Sequence, residues 1–125
     1  MNQKTQERVV ILGASDKPER YSHRAMKMLR DHGHEVVLIH PRLSEIEGQP
    51  VVNDLSAIRG AVDTVTMYVG PEASNLVADK LIALRPRRVI FNPGSENPAL
   101  QARLADAGVA VEEACTLVLL STGQF

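Results

Sequence analysis

Cysteines and long apolar runs are scarce in this chain of 125 residues. Its single cysteine, Cys115, cannot form an internal disulfide, which is typical of proteins in a reducing compartment. Apolar runs such as residues 9–12 are far shorter than the ~18 residues that a membrane-spanning helix needs. Residues 1–8 are polar and lack the apolar stretch of a secretory signal. We therefore expect a cytoplasmic protein with no membrane partner.

Aromatic residues and excess charge of one sign are scarce as well. The chain has two tyrosines, two phenylalanines and no tryptophan, and its formal net charge is −1. Proteins that stack nucleic-acid bases need several aromatic rings on a basic face, so we expect no nucleic-acid partner. The pair His32 and His34 has no third ligand that the sequence identifies, and we expect no metal site.

Short β-branched apolar runs and amphipathic helical patterns alternate along the whole chain. The length and the hydrophobic content of 44% suit one domain, residues 1–125, with a core of its own. The runs are nearly continuous in apolar character, as parallel strands buried on both faces should be. This pattern predicts an α/β protein with a three-layer, doubly wound Rossmann-like fold and a mainly parallel sheet of five to six strands. The predicted strands are residues 9–12, 35–39, 64–69, 88–91 and 109–111.

Three helices are predicted between these strands, and two segments are less clear. Residues 43–53 have no helical pattern, so we interpret them as a loop followed by a minor strand at residues 51–52. Residues 115–120 are apolar on every side, and their periodicity does not distinguish a helix from a strand. The predicted helices run from Tyr21 to a stop at Gly33, from Pro71 to a stop at Pro86 with Leu76 in its apolar stripe, and from a cap at Asn97 to a stop at Gly108.

Small, polar and turn-forming residues follow each predicted strand. Right-handed crossovers place the carboxyl ends of parallel strands at one edge of the sheet, where doubly wound folds bind ligands. Strand ends need turn residues in any case, which explains part of the pattern. The segments at this edge are Gly13-Ala14-Ser15, His40-Pro41-Arg42, Gly70-Pro71, Asn92-Pro93-Gly94-Ser95 and Glu113-Ala114-Cys115.

Residues 13–22 join the first strand to the first helix, where Rossmann domains bind a diphosphate. Gly13 lets the backbone approach a ligand, and Ser15 and Ser22 offer hydroxyl groups. The positive end of the helix dipole favours an anion by ~0.3–1 kcal/mol per charge, and Lys17 and Arg20 add cations. The loop is therefore predicted to bind phosphate.

The second strand ends on His40-Pro41-Arg42 rather than on the acidic residue of an NAD site. The first loop also has one glycine where the G-x-G-x-x-G pattern has three. A cation at Arg42 suits a ribose that carries an extra phosphate, which fits NADP and coenzyme A. The alternative interpretation is that Arg42 is a solvated surface arginine.

These segments carry a resemblance to a known family. The run from Val10 to Ser22, Gly33-His34-Glu35-Val36, Pro41-Arg42 and Ile46-x-Gly48 resemble the small stand-alone CoA-binding domain proteins. That family is related to the nucleotide-binding part of the succinyl-CoA synthetase alpha subunit. The resemblance covers about residues 8–118, and its most specific part is the Gly-Ala-Ser-Asp-Lys-Pro-Glu-Arg run.

The resemblance implies a fold that holds the ADP half of coenzyme A over the first loop and the end of the second strand. It places Pro41 and Arg42 beside the adenosine 3′-phosphate, and Val69, Gly70 and Pro71 at the far wall. To these we add Lys17, His40 and Asn92, from their place at the edge of the sheet. The residues that it places around the diphosphate are Gly13, Ala14, Ser15, Arg20, Tyr21 and Ser22. The chain departs from the family pattern at His40, where members commonly have Asn, at Asn92-Pro93, where many have Trp and Gln, and at Ala114, where many have Arg.

No catalytic residue is predicted. Cys115 stands beside two glutamates, which disfavour a thiolate, and we expect a packed, unreactive side chain. Ser95 lacks the G-x-S-x-G pattern of a nucleophile, and His23 is interpreted as a residue of the helix surface.

We therefore expect a CoA-binding carrier, sensor or partner module. The alternatives are an NADP-binding oxidoreductase or isomerase domain and a CoA-dependent enzyme that works with a partner chain. The apolar tail, residues 117–120 with Phe125, either covers the sheet or forms a dimer contact, and of these we expect a homodimer.

Overall fold

The chain folds around one mainly parallel β-sheet. The structure, a computed structural model, describes residues 6–125. Within them the sheet has seven strands in the order β3-β4-β2-β1-β5-β6-β7, and every neighbouring pair is parallel except β3 and β4. The Rossmann-like α/β fold is confirmed, with a strand count above the predicted five to six. The strands are β1 (Arg8–Leu12), β2 (Glu35–Ile39), β3 (Glu45–Ile46), β4 (Gln49–Val52), β5 (Thr64–Met67), β6 (Arg88–Phe91) and β7 (Ala110–Glu113).

Helices cover both faces of the sheet. Successive side chains of a strand point to opposite faces, and β1 shows this directly. Val9 and Ile11 belong to the hydrophobic cluster that contains Leu29 of α1, whereas Val10 and Leu12 belong to the cluster that contains Leu81 of α3. The result is three layers. The helices are α1 (Tyr21–Asp31), α2 (Pro71–Leu76), α3 (Ala78–Leu84), α4 (Pro98–Asp106) and α5 (Thr116–Ser121), and a 3-10 turn spans Leu55–Ala57.

The helix predicted from Pro71 to Pro86 is interrupted. Val77, with φ −111° and ψ 8°, ends α2 and precedes α3, and its N–H donates to the Ser74 carbonyl in a tightened last turn. Leu81 of α3 is fully buried, whereas Leu76 of α2 is 86% exposed. The prediction of one continuous helix with Leu76 in its buried stripe is therefore wrong.

The predicted minor strand at residues 51–52 is confirmed as part of β4, whereas the segment predicted as a loop contains β3, which forms a β-hairpin with β4. β3 and β4 pair antiparallel with Ile46 opposite Gln49, so Glu47 and Gly48 are the two turn residues. Both have positive φ, 49° and 77°, as the favoured two-residue hairpin turns require. A glutamate at the first turn position conceals the usual Asn-Gly or Asp-Gly signal, which is why the sequence did not predict β3.

The apolar segment near the carboxyl end forms α5. Leu120 is 2% exposed, and Leu117 and Phe125 pack against the same cluster as α1. Most of the apolar tail thus covers the sheet, and Val118 is its exposed member. None of the helices within residues 6–125 has the length and hydropathy needed to cross a bilayer.

Candidate functional site

A cavity of about 740 Å³ opens where the strand order reverses at the carboxyl edge of the sheet. The chain proceeds from β1 outward to β2 and β4, then returns to β5 on the other side of β1. The loops after β1 and β5 therefore diverge and leave a crevice, the usual ligand position in open α/β sheets. The cavity is lined by residues 13–17 and 20–22 after β1, 40–43 after β2, 68–69 after β5 and 93–95 after β6.

Eleven of the fourteen predicted ligand-binding residues line this cavity. The other three do not. Gly70 and Pro71 are exposed and begin α2. Asn92 is 4% exposed and lies in a buried hydrogen-bond network. The eleven are Gly13, Ala14, Ser15, Lys17, Arg20, Tyr21, Ser22, His40, Pro41, Arg42 and Val69.

Asn92 connects three elements beside the cavity. Its Nδ2 donates to Thr66 Oγ1 at 2.7 Å and to the Met67 carbonyl at 2.8 Å, both in β5. Its Oδ1 accepts the N–H of Thr116, the first residue of α5, at 2.8 Å. Both Nδ2 protons are engaged and Oδ1 accepts one N–H, so the buried amide makes three hydrogen bonds to neighbouring elements. Its place is structural.

Gly13 allows the loop after β1 to pass close to the end of β5. Its φ is +98°, and a Cβ added there would lie 2.8 Å from Val69 Cγ1 and 3.2 Å from the Tyr68 carbonyl. The N–H groups of Gly13 and Ala14 both donate to the Ile39 carbonyl, at 3.2 and 3.0 Å. The start of the loop is thereby fixed to β2, and these two N–H groups are not free to bind a ligand.

Free backbone donors begin one residue later. The N–H groups of Ser15, Asp16, Tyr21 and Ser22 have no hydrogen-bond acceptor within residues 6–125. Arg20, the N-cap of α1, makes no side-chain cap, and the first turn has no acidic residue. The positive end of the helix dipole is therefore neither capped nor neutralised, as an anion-binding helix end requires.

Ser22 adds a hydroxyl group to these donors. The residue is 5% exposed and lines the cavity. Its Oγ has no hydrogen-bond partner in the described part of the chain, whereas Ser15 Oγ accepts the Lys17 N–H at 3.1 Å. The Ser22 hydroxyl at the cavity lining is therefore available to a polar ligand atom.

The charge of the lining is mainly positive. Lys17, Arg20 and Arg42 line the cavity with one carboxylate, that of Asp16. His40 Nδ1 accepts the N–H groups of Arg42 and Leu43, both at 3.0 Å, so the proton of its neutral ring lies on Nε2. A cleft with this excess of cations attracts anionic ligands, and salt weakens the attraction.

Tyr68 is a lining residue that the sequence did not reveal. The predicted strand ran to residue 69, but β5 ends at Met67, which already places Tyr68 at the edge. Its hydroxyl is buried without a hydrogen-bond partner in the structure as described. Burial raises the pKa of Tyr68 to about 12. The other lining residues outside the predicted ligand-binding set are Leu43, together with Asp16, Pro93, Gly94 and Ser95, whose segments the sequence placed at the edge.

Two residues that were considered for catalysis, Cys115 and His23, do not line the cavity. Cys115 is partly exposed and does not line the cavity. His23, interpreted above as a surface residue, is 2% exposed, and that interpretation is wrong. Its ring lies between the Ser15 carbonyl and the Glu47 carboxylate. Residues 6–125 hold no group of three His, Cys, Asp or Glu side chains that could bind a metal ion.

Comparison with known proteins finds similarity in sequence and in fold. The sequence pattern of the family described as CoA binding domain matches residues 7–121. A crystal structure of an uncharacterized protein superimposes with a TM-score of 0.92 at 38% identity, over 98% of this chain and 100% of the other. The structure of cell-free ID.343 from Thermus thermophilus superimposes with a TM-score of 0.86 at 28% identity, over 96% of this chain and 91% of the other.

Among curated proteins, the uncharacterized protein YneT of Bacillus subtilis (strain 168) is 32% identical over 75 residues. The match covers 60% of this chain and 56% of YneT, so the chain aligns with little more than half of that relative.

Proposed function

This chain belongs to the family of CoA binding domains, and we propose that it binds coenzyme A through its ADP moiety in the cavity at the carboxyl edge of the sheet. One observation carries the proposal: the unpartnered N–H groups of Ser15, Asp16, Tyr21 and Ser22 surround a cavity that also contains the free Ser22 hydroxyl. A diphosphate offers acceptor oxygens for all of these donors.

In the proposed complex, Lys17 and Arg20 neutralise the diphosphate, and Arg42 binds the adenosine 3′-phosphate. Arg42 follows β2 on the other side of the cavity from the loop after β5. The Nε2–H of His40 supplies a neutral donor on the same side. An arginine binds phosphate oxygens through two parallel hydrogen bonds, which explains a preference for a ligand with the extra phosphate.

We propose a carrier, sensor or partner module rather than an enzyme. The polar groups of the cavity support this because their hydrogen bonds do not assemble a nucleophile and a base. Ser95 Oγ donates to the Asn92 carbonyl, and the His40 Nδ1 lone pair is engaged by two backbone N–H groups. General-base catalysis needs a base within hydrogen-bond reach of the nucleophile.

Titration calorimetry with coenzyme A, dephospho-CoA and NADP⁺ tests the ligand. We expect coenzyme A to bind about tenfold more tightly than dephospho-CoA, because one charge-assisted hydrogen-bonded pair is lost with the 3′-phosphate. Tight binding of NADP⁺ without binding of coenzyme A would overturn the proposal in favour of the oxidoreductase or isomerase alternative.

Arg42→Ala separates the two halves of the ligand. The substitution should abolish the preference for coenzyme A over dephospho-CoA and leave the affinity for dephospho-CoA unchanged. Arg103→Ala is the matched control, since Arg103 lies in α4 and pairs with Asp79 away from the cavity. Equal losses for both ligands would remove Arg42 from the phosphate site.

Mass spectrometry of acyl-CoA incubated with the protein tests the enzymatic alternative. We expect the thioester to be recovered unchanged with the protein alone. Turnover would instead favour a CoA-dependent enzyme, and turnover that needs a second protein would favour the partner-chain form of that alternative.

We also propose that the chain forms a homodimer through α5. Val118 supports this because it is 54% exposed on a helix from which Leu117 and Leu120 pack against the cluster of α1. Sedimentation velocity should give a dimer for the native chain and a monomer for Val118→Asp. A monomeric native chain would contradict the homodimer proposal.

A further inference from the structure

The charged and the uncharged residues of the cavity lie on different segments of its lining. Four of the lining residues are Asp, Lys or Arg, and all four follow β1 or β2. The segments after β5 and β6 contribute five lining residues, none of which is charged. We call these five the uncharged wall, which consists of Tyr68, Val69, Pro93, Gly94 and Ser95.

Coenzyme A has the same division of charge. Its ADP half carries the diphosphate and the 3′-phosphate, whereas its pantetheine arm is an uncharged chain that contains amide groups. In the sheet, β1 lies between β2 and β5, and β6 follows β5. A ligand with its 3′-phosphate at Arg42, after β2, and its diphosphate at the loop after β1 therefore continues towards β5 and β6. In the proposed complex the pantetheine arm meets the uncharged wall.

Two residues of the uncharged wall, Tyr68 and Ser95, carry a hydroxyl group. Ser95 Oγ donates its proton to the Asn92 carbonyl at 2.7 Å. The Tyr68 hydroxyl is buried and has no hydrogen-bond partner within residues 6–125. Because a buried polar group without a partner destabilises a folded chain, the position of this hydroxyl needs a physical reason.

The polar groups around the Tyr68 hydroxyl are bonded to one another and not to it. Tyr68 packs against the cluster of α1, on the face of the sheet that also carries Thr66 and Thr116. The hydroxyls of Thr66 and Thr116 form a hydrogen bond of 2.8 Å, and Thr66 Oγ1 also accepts from Asn92 Nδ2. Both threonine hydroxyls lie near enough to the phenol to offset part of the rise in its pKa, but neither forms a hydrogen bond with it. A movement of the phenol therefore breaks no hydrogen bond.

We infer that Tyr68 is a specificity-determining residue for the pantetheine arm of coenzyme A, and that its hydroxyl turns towards the cavity on binding and donates to an amide carbonyl of that arm. This inference rests on the proposed function. The free chain holds the hydroxyl without a partner, and the complex supplies one. Ligands that lack the arm, such as ADP, do not gain this hydrogen bond.

The turn of the side chain is compatible with the surroundings of Tyr68. The residue lines the cavity and is only partly buried, so the core does not enclose its ring. Rotation about the Cα–Cβ bond from one staggered position to another moves the hydroxyl without a change of the backbone. The phenol keeps its proton at neutral pH, both where burial raises its pKa to about 12 and at the ordinary value of 10.0. It therefore remains a donor that adds no charge to the uncharged wall.

Calorimetry with dephospho-CoA and ADP isolates the pantetheine arm, because the two ligands share the adenosine and the diphosphate and differ by that arm. Tyr68→Phe should weaken the binding of dephospho-CoA and of coenzyme A about tenfold, the effect of one hydrogen bond, and leave the affinity for ADP unchanged. Arg103→Ala, which changes a residue paired with Asp79 away from the cavity, should bind all three ligands like the native chain.

Two further measurements separate ligand binding from a structural role. Urea denaturation of the free Tyr68→Phe chain at neutral pH should show no loss of stability, since the hydroxyl has no partner in the described residues. In the complex of the native chain, nuclear Overhauser effects should connect the assigned ring protons of Tyr68 with the methyl and methylene protons of the pantetheine arm. Contacts of this ring with the adenine protons instead would overturn the inference.

Equal affinity of Tyr68→Phe and the native chain for dephospho-CoA overturns the inference. An equal loss of affinity for ADP does so too, because it would assign the hydroxyl to the diphosphate, and a loss of stability in the free variant would assign it to a bond within the protein. Absence of coenzyme A binding by the native chain would instead overturn the proposed function, and the inference with it.

Discussion

Gly13 is the glycine of the site at which an added side chain would be tolerated least. An alanine there would need a left-handed backbone conformation and would place its Cβ against Val69 and the Tyr68 carbonyl. We expect Gly13→Ala to lower the free energy of unfolding by about 3 kcal/mol, from backbone strain and overpacking together. Urea denaturation measures this loss.

Gly33→Ala is the control for the backbone contribution. Gly33 has a similar φ of +86°, and an added Cβ would meet nothing within 4 Å. Gly33→Ala should lower the free energy of unfolding by about 1 kcal/mol, from backbone strain alone. Equal losses at the two positions would show that the close approach of the loop to β5 does not exist.

Tyr68 makes stability sensitive to alkaline pH. Burial raises its pKa to about 12 from the ordinary value of 10.0, so the folded chain keeps the neutral phenol where the unfolded chain ionises. The stabilisation by the neutral phenol is complete below about pH 10 and is lost as the pH rises towards about 12, by up to about 2 kcal/mol. In Tyr68→Phe this part of the alkaline loss should disappear, as denaturation at a series of pH values would show.

Tyr21→Phe is the control for that experiment, because Tyr21 is 65% exposed. Its alkaline loss of stability should equal that of the native chain. At neutral pH, Tyr68→Phe should be no less stable than the native chain, since the hydroxyl that it removes has no partner in the described residues. A clear loss at neutral pH would mean that the hydroxyl is hydrogen-bonded after all.

At the scale of single residues, the sequence predicted lining residues better than their roles. Gly13, Ser22 and Arg42 could be placed at the edge because each directly follows a strand or begins a helix. The steric reason for Gly13 lies at Tyr68 and Val69, far along the chain, and no local pattern reveals it. The burial of Asn92 depends on Thr66 and Thr116, which only the folded sheet brings together.

At the scale of elements, Asn97 joins α4 to α2. Its Oδ1 accepts the Leu100 N–H at 3.2 Å and caps α4, while its Nδ2 donates to Ser74 Oγ and Asn75 Oδ1, both at 2.8 Å. We expect Asn97→Ala to cost about 2 to 3 kcal/mol of unfolding free energy, because a cap and buried hydrogen bonds are lost together.

Ser74→Ala removes one bond between the two helices and leaves the cap of α4 in place. It should cost about 1 kcal/mol in the same denaturation measurement. The difference between the two variants measures the cap together with the hydrogen bond from Asn97 Nδ2 to Asn75 Oδ1. A cost for Ser74→Ala as large as that for Asn97→Ala would mean that the cap contributes nothing.

Elements with strong local signals were predicted well, and those that depend on turns were not. The Asn97-Pro98 start of α4 follows from capping chemistry and is confirmed. The break at Val77 has no proline or glycine to indicate it, and tertiary packing decides it. The hairpin turn has Glu47 at its first position instead of the asparagine or aspartate that usually indicates such a turn, so the sequence did not reveal it.

At the scale of the whole molecule, the parallel sheet determines where the cavity lies. Apolar runs buried on both faces require crossovers of one hand, and these bring all carboxyl strand ends to one edge. For that reason the location of the candidate site was predictable from the sequence. Its depth and its free donors were not, because they depend on which N–H groups the Ile39 carbonyl engages and which remain unpaired.

The most direct test of coenzyme A binding at this edge is an amide nuclear magnetic resonance titration of the labelled chain with coenzyme A. We predict that the largest shifts fall on Ser15, Asp16, Tyr21 and Ser22, whose N–H groups are free to meet the diphosphate, with smaller shifts at Gly13 and Ala14, whose N–H groups are held by Ile39. No shifts at saturating coenzyme A, or shifts confined to residues outside the cavity, would contradict the proposal.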